Sequence, residues 1–285
     1  ESQKGNMFVP EPTLHAYAVY QEGMYLGYRY TETRYEDYVL GTAKVGDYDY
    51  SKVVAYPFGH GISYTDFEYS NFKVSKSGAR TYNVSVTVKN TGKTYSGKET
   101  VQIYVSKPYG DYAKKNNIQV PSVELIEFGK TGVLAPGASE TLTIPVDEKY
   151  FASYDAYGAG TYVIMPGDYY LTAATDAHNA VNNVLKAKGA SESKMVGKAT
   201  AGMTEKITLA LNDQRYAFSD ATGNPIGNLF DYADINRYSG KGSNSVKYYN
   251  RSDWAGTVSL DRVNGVPKLT ATQQMADEIL SQCPV

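Results

Sequence analysis

Three histidines and a scatter of carboxylates are the side chains of this sequence with the reach for acid–base or metal chemistry. His15, His60 and His178 stand far apart and lack metal-ligand spacing, and no Asp-x-Asp-x-Asp-Gly loop offers a calcium site. No metal and no cofactor is therefore expected. A Ser-His-Asp arrangement has no Gly-x-Ser-x-Gly elbow behind it, and neither a phosphate-binding loop nor a dinucleotide fingerprint occurs. Among the carboxylates, Glu99 and Glu124 fall on strand-like stretches and read as surface or seam groups. Asp253, in NRSDWAG, reads as a turn or helix-capping residue beside a packed Trp254.

The elements that must position these groups follow from pattern and composition. A chain of 285 residues, 42% hydrophobic, has material for a sizeable core and for one to three domains. Lys and Arg total 28 against 30 Asp and Glu, and this balance gives no electrostatic reason to expect nucleic acid or an anionic membrane. No apolar run approaches the roughly 18 residues of a membrane span, and ESQKGNMFVP has no leader pattern. The lone Cys283 supplies no intramolecular disulfide, which leaves the compartment open with a lean towards a reducing, cytoplasmic or cell-associated bacterial setting. The 28 tyrosines, beside one tryptophan, suit half-buried strands and domain contacts, and their ring faces also suit sugars.

Residues 1–63 hold few aliphatics, too few to fold alone. HAYAVYQEGMYLGYRYTETRYEDYV mixes a helical start with Tyr- and Gly-rich turns, and Val53–Tyr56 reads as a short strand. From Tyr64 the hydrophobic period becomes two. Tyr82, Val84, Val86 and Val88 alternate with polar residues, as do Val101, Ile103 and Val105, then Leu142, Ile144 and Val146, then Tyr169, Leu171 and Ala173. With strands near 65–76, 123–128 and 160–165 this makes about seven, the count of an immunoglobulin-like or fibronectin type III sandwich over 64–178. Ala135-Pro136-Gly137 and Met165-Pro166-Gly167 supply turns. Residues 107–122 form a long loop with two tyrosines and two adjacent lysines, either functional or an insertion packed on a neighbour. Residues 179–285 read as a linker: a short helix closed by Gly189, strand-like pieces such as KITLAL and VKYYN, and an amphipathic terminal helix in TATQQMADEILSQC with Met275, Ile279 and Leu280 on one stripe. The fold class is mainly β, with the sandwich flanked by the end of an α/β domain and an irregular linker.

YQEGMYLGYRYTETRYED followed by VVAYPFGHGISYTDFEYS closely resembles the junction at the end of the α/β sandwich domain of glycoside hydrolase family 3, the family of many β-glucosidases. VTVKNTGKTYSGKETVQIYVSKP and PSVELIEFGKTGVLAPGASETLTIPV resemble the fibronectin type III-like domain that follows it there, so that the likeness covers roughly 17–177. NLFDYADINRYSG and VKYYNRSDWAGTVS are similar to the linker of an inverted-order branch in which a (β/α)-barrel comes last. This resemblance implies a chain from the middle of a longer polypeptide, with the barrel beginning just beyond Val285.

A retaining glycosidase needs two carboxyl groups about 5–5.5 Å apart. The resemblance places the nucleophilic aspartate on a barrel strand and the acid/base glutamate upstream of the motifs present here. Asp253 follows Tyr-Tyr-Asn-Arg-Ser rather than a buried apolar strand, with no βα repeats around it. Glu22 reads as the structural partner of Arg29. The expected catalytic set within the chain is thus empty and its substrate-binding residues are unassigned. The partners implied are the remaining domains of a parent enzyme and that enzyme's oligosaccharide or β-glucoside substrate. His60 reads as a turn residue at a seam, between Gly59 and Gly61, where side chains would crowd. A carbohydrate-binding or adhesion sandwich, and a pure scaffold, are the alternative readings.

Overall fold

The computed structural model describes residues 20–229 and 247–257. His15, Cys283 and the expected terminal helix lie outside them. Among the described residues ten strands carry the fold: β1 (Phe67–Lys76), β2 (Thr81–Asn90), β3 (Thr100–Ser106), β4 (Glu124–Lys130), β5 (Ser139–Asp147), β6 (Ser153–Asp155), β7 (Thr161–Ile164), β8 (Gly167–Ala174), β9 (Thr204–Leu209) and β10 (Asn212–Tyr216). β1-β2-β5 form one antiparallel sheet, β4-β3-β8-β9 a second, and β10-β7-β6 a small third. The alternating residues identified in the sequence meet between the first two sheets: Val84, Val86, Val88, Val101, Ile103, Val105, Ile144, Val146, Leu171 and Ala173 are buried in one cluster with Phe151 and Tyr169. Register matches the pattern, with Val84 opposite Ile144 and Ile103 opposite Ala173. The fold is the expected mainly-β sandwich.

The outer face of the four-stranded sheet does not meet water. Every residue of β3 from Val101 to Ser106 is buried, because the side chains that point away from the sandwich core, Tyr104 among them, enter a second cluster. That cluster is covered by α1 (Tyr28–Leu40) and α4 (Ala177–Ala187). In α1, Gly41 at φ 69° closes the helix as a Schellman motif, its N–H reaching Tyr38 O while Thr42 N–H reaches Asp37 O. Gly189 at φ 78° closes α4 in the same way, as its sequence position predicts, and Asp176 caps the start through Asn179 N–H. The few aliphatics of the N-terminal segment thus find their neighbour on the back of the sandwich.

Three local expectations change. Val53–Tyr56 is not a strand: Asp49 accepts from Ser51 N–H and starts a helical turn, α2 (Tyr50–Val53), that seats the Tyr50 ring in the second cluster. KITLAL, assigned to the linker, becomes β9, because β8 would otherwise present an open edge; Ile207 lies opposite Tyr169 and packs against the sandwich core. The described part of VKYYN, residues 247–250, is not a strand; it is held by Tyr249 N–H donating to Gln21 O. The 107–122 loop contains α3 (Asp111–Lys115) and packs Ala113, Ile118 and Val120 on Val163 and Met165.

Candidate functional site

Every side chain from Glu32 to Asp37 is buried, an unusual content for a helix whose sequence shows no continuous apolar stripe. Each polar group therefore needs a partner from elsewhere in the chain. Tyr50 OH donates to Glu32 Oε1, and Glu32 Oε2 lies 2.9 Å from His178 Nδ1. His178 Nε2 donates to Val196 O at 2.8 Å, and its ring stacks on Tyr50 with centroids 3.9 Å apart. Tyr35 OH donates to Asn182 Oδ1 and accepts from Val196 N–H, each at 2.8 Å; burial pushes this phenol up to about 12. Glu32, Tyr35 and His178 thus tie α1 and α4 to the 190s segment.

The second half of α1 meets residues 249–254. Arg251 is 4% exposed and donates from Nε and Nη2 to Asp37, at 3.0 to 3.2 Å, and from Nη2 to Glu36. Its Nη1 donates to Val120 O, and Lys188 Nζ reaches the other Glu36 oxygen at 2.6 Å. Asp37 also accepts from the Trp254 indole N–H at 2.7 Å. Burial alone would raise the Glu36 carboxyl, but the Lys188 and Arg251 cations outweigh it and hold the group below the usual carboxylate range. Burial likewise opposes the charge on Arg251, and Asp37 and Glu36 reverse that effect. A carboxylate held ionised in this way is the opposite of a general acid, which needs a raised value. Trp254 itself is fully buried, edge-on to Tyr25 at 4.9 Å, and Arg34 lies beneath Tyr48 and Trp254.

The residues singled out from sequence are scattered around this clip rather than gathered. Asp253 begins α5 (Trp254–Thr257), accepting from Gly256 N–H at 3.3 Å with Lys44 Nζ 3.6 Å away, a capping role. Glu22 does not pair with Arg29. Arg29 instead meets Glu124 at 3.3 Å, and Lys107 holds the other Glu124 oxygen at 2.8 Å, so Glu124 is a seam carboxylate. Glu99 accepts from Tyr69 OH at 2.7 Å; burial raises its carboxyl despite that bond. The 107–122 loop turns its inner side to the clip: Gln119 Oε1 accepts from Tyr25 OH at 2.9 Å and from Arg251 N–H at 2.8 Å. Sequence reasoning missed Glu36, Asp37 and Arg251. The signal available was an acidic pair on a tyrosine-rich helix, with a lone arginine beside the only tryptophan.

The PFGHG bend is clamped at the same junction. Phe58 stacks on Tyr28 at 4.5 Å, Ala177 N–H donates to Phe58 O, and Gln102 Nε2 donates to Gly59 O at 3.0 Å. Gly59 has φ +86°, and a Cβ there would lie 2.2 Å from Gln102 Oε1. Gly61, contrary to expectation, faces open space. Gly59→Ala should therefore lower the urea unfolding free energy by about 1–3 kcal/mol, while Gly61→Ala stays near neutral.

Residues 99–177 match the family signature described as a fibronectin type III-like domain. Thermostable β-glucosidase B of Acetivibrio thermocellus is 40% identical over 139 residues, which is 48% of this chain and 15% of that protein. The chain carries a fibronectin type III-like domain and is similar to a portion of glycoside hydrolase family 3 β-glucosidases. A Ruminococcus albus β-glucosidase is 35% identical to this chain, over 57% of it and 15% of the relative. An exo-α-(1→6)-L-arabinopyranosidase of Bifidobacterium breve is 34% identical, over 58% and 18%. β-Glucosidase 3B from Thermotoga neapolitana, solved with glucose, aligns at 30% identity and TM-score 0.44 over 67% of this chain and 21% of its own. The chain spans less than a fifth of the length of these curated relatives.

Proposed function

We propose that this chain braces the catalytic parts of a longer family 3 β-glycosidase and holds neither the nucleophile nor the acid/base itself. Residues 1–63 are then the end of an α/β sandwich domain, 64–178 the fibronectin-like sandwich, to which β9 adds an edge, and 179–285 the linker towards a barrel in the inverted domain order. The observation that carries this reading is the clip: α1, the 107–122 loop and residues 249–254 converge on Glu36, Asp37 and Arg251, so three segments distant in sequence are fixed in one register. Ile62, Tyr64 and Tyr56, exposed at 96%, 91% and 75%, give an apolar face beside the bend that suits a covering domain. The substrate is a terminal β-linked sugar. Its identity stays open in this reading, because the relatives include an arabinopyranosidase as well as glucosidases.

The test is turnover of an aryl β-glucoside by this chain and by a full-length protein containing it. The expected result is hydrolysis by the full-length protein alone. Turnover by the 285-residue chain that disappears on Asp253→Asn or Glu22→Gln would overturn the assignment.

A further inference from the structure

The segment that leads from α4 to β9 is pinned to the helices through Val196. Its N–H donates to Tyr35 OH at 2.8 Å, and its carbonyl accepts from Asn182 Nδ2 at 2.9 Å and from His178 Nε2 at 2.8 Å. A carbonyl oxygen has no hydrogen to give, so His178 Nε2 must carry one. The other ring nitrogen, Nδ1, lies 2.9 Å from Glu32 Oε2, which only accepts when the carboxyl is ionised. An imidazole with a single hydrogen and an ionised Glu32 cannot serve both contacts. Whichever ring nitrogen stood bare would set its lone pair against an oxygen lone pair at 2.8 or 2.9 Å. One further proton, on the ring or on the carboxyl, satisfies both.

The surroundings leave the pair little freedom to avoid that clash. Glu32 is fully buried and His178 is 9% exposed. Glu32 Oε1 is committed to Tyr50 OH; burial and then the Glu32 charge push this phenol up, so it stays a donor. The Tyr50 ring at 3.9 Å and the Tyr35 ring at 4.6 Å hold the imidazole in its plane. The other titratable groups around the pair are Tyr48 beside α2, Tyr104 of β3 and Asp176, the α4 cap. Lys194 and Lys198 of the segment itself are exposed, and among the described residues Glu32 makes no ion pair except with His178. The proton is what balances this buried carboxylate.

We propose that the Glu32–His178 pair takes up one proton when the segment around Val196 docks, and that loss of this proton releases the segment. Once it is released, water can donate to a bare Nε2 while Nδ1 keeps its hydrogen for Glu32, and the extra proton passes to solvent. The docked state thus binds one proton more than the released state, so docking is strongest in mild acid and weakens as pH rises. The device stands whatever the parent enzyme hydrolyses.

Hydrogen exchange of the Val196 and Thr200 amides in the 285-residue chain tests it, each rate divided by the intrinsic rate at the same pH. The Thr200 N–H, bonded to Asn183 Oδ1, reports on the same segment. Protection is expected to fall between about pH 6 and 8.5, by up to roughly tenfold per pH unit. In Glu32→Gln the amide N–H donates to a bare Nδ1 and the amide oxygen still accepts from Tyr50. The segment should then stay protected and the pH slope should vanish. A flat profile in the unaltered chain, an equal slope in Glu32→Gln, or a segment unprotected at every pH in that variant would each overturn the proposal. Nitrogen-15 spectra of the labelled histidines need no variant: a hydrogen on His178 Nε2 is expected at neutral pH, and a bare Nε2 there overturns the proposal too.

Discussion

Arg251→Met is expected to lower the unfolding free energy by roughly 3–5 kcal/mol, among the largest losses available to a single change in this chain. The methionine fills much of the same volume, but it leaves the Asp37 carboxylate buried against only the Trp254 N–H and Thr42, and leaves Glu36 with Lys188 alone. The cost comes from the stranded charge more than from the lost pair, because a buried ion pair returns little beyond its own desolvation. The single tryptophan makes the measurement direct: its emission will shift red at lower urea in the variant. A pH dependence accompanies it. Glu36 has its folded value below the ordinary 4.5, so its stabilisation is full above that pH and is lost as pH falls through the lower folded value. The acid-side fall in stability will therefore be shallower in Arg251→Met, where one of the two cations that depress Glu36 is gone. Equal unfolding curves for the two proteins at neutral pH would show that the clip contributes nothing.

Trp254→Ala is expected to cost about 3–5 kcal/mol, followed by circular dichroism because the variant lacks the fluorophore. The indole is fully buried among Tyr25, Tyr30 and Arg34, and its N–H is one of the bonds that satisfy Asp37. Trp254→Phe separates the two contributions. It keeps most of the ring packing and removes the donor, so a loss of about 1–3 kcal/mol is expected from the missing bond to the buried Asp37 carboxylate, whose Oδ2 then keeps Arg251 Nε alone. If Phe proves as costly as Ala, ring packing contributes little and the lost bond to Asp37 accounts for the loss. The two positions share Asp37, so Arg251→Met and Trp254→Ala together should cost less than their sum.

Much of the sandwich was legible because a strand with one face in a core writes its burial as a period of two. Val84, Val86 and Val88 opposite Ile144 and Val146 show that correspondence directly. Gly41 and Gly189 close helices because a left-handed residue past the last turn favours glycine, a local rule readable from the chain. The PFGHG motif was readable as a junction, and Gly59 shows why: its carbonyl and its missing side chain both serve Gln102. The helical turn at Tyr50 was misread since a capping aspartate outweighed the apolar run after it.

The amino-acid order alone determined the alternating strands, the turns between them and the motifs that resemble family 3. Tertiary structure decided which surfaces those strands would share: that β3 is buried on both faces, that β9 closes the edge of β8, and that Arg29 answers Glu124 rather than Glu22. Local pattern records how deeply a residue is buried but not by whom. The partner of a buried charge such as Glu36 is chosen by packing between segments more than two hundred positions apart in the chain, and no periodicity within either segment encodes that choice.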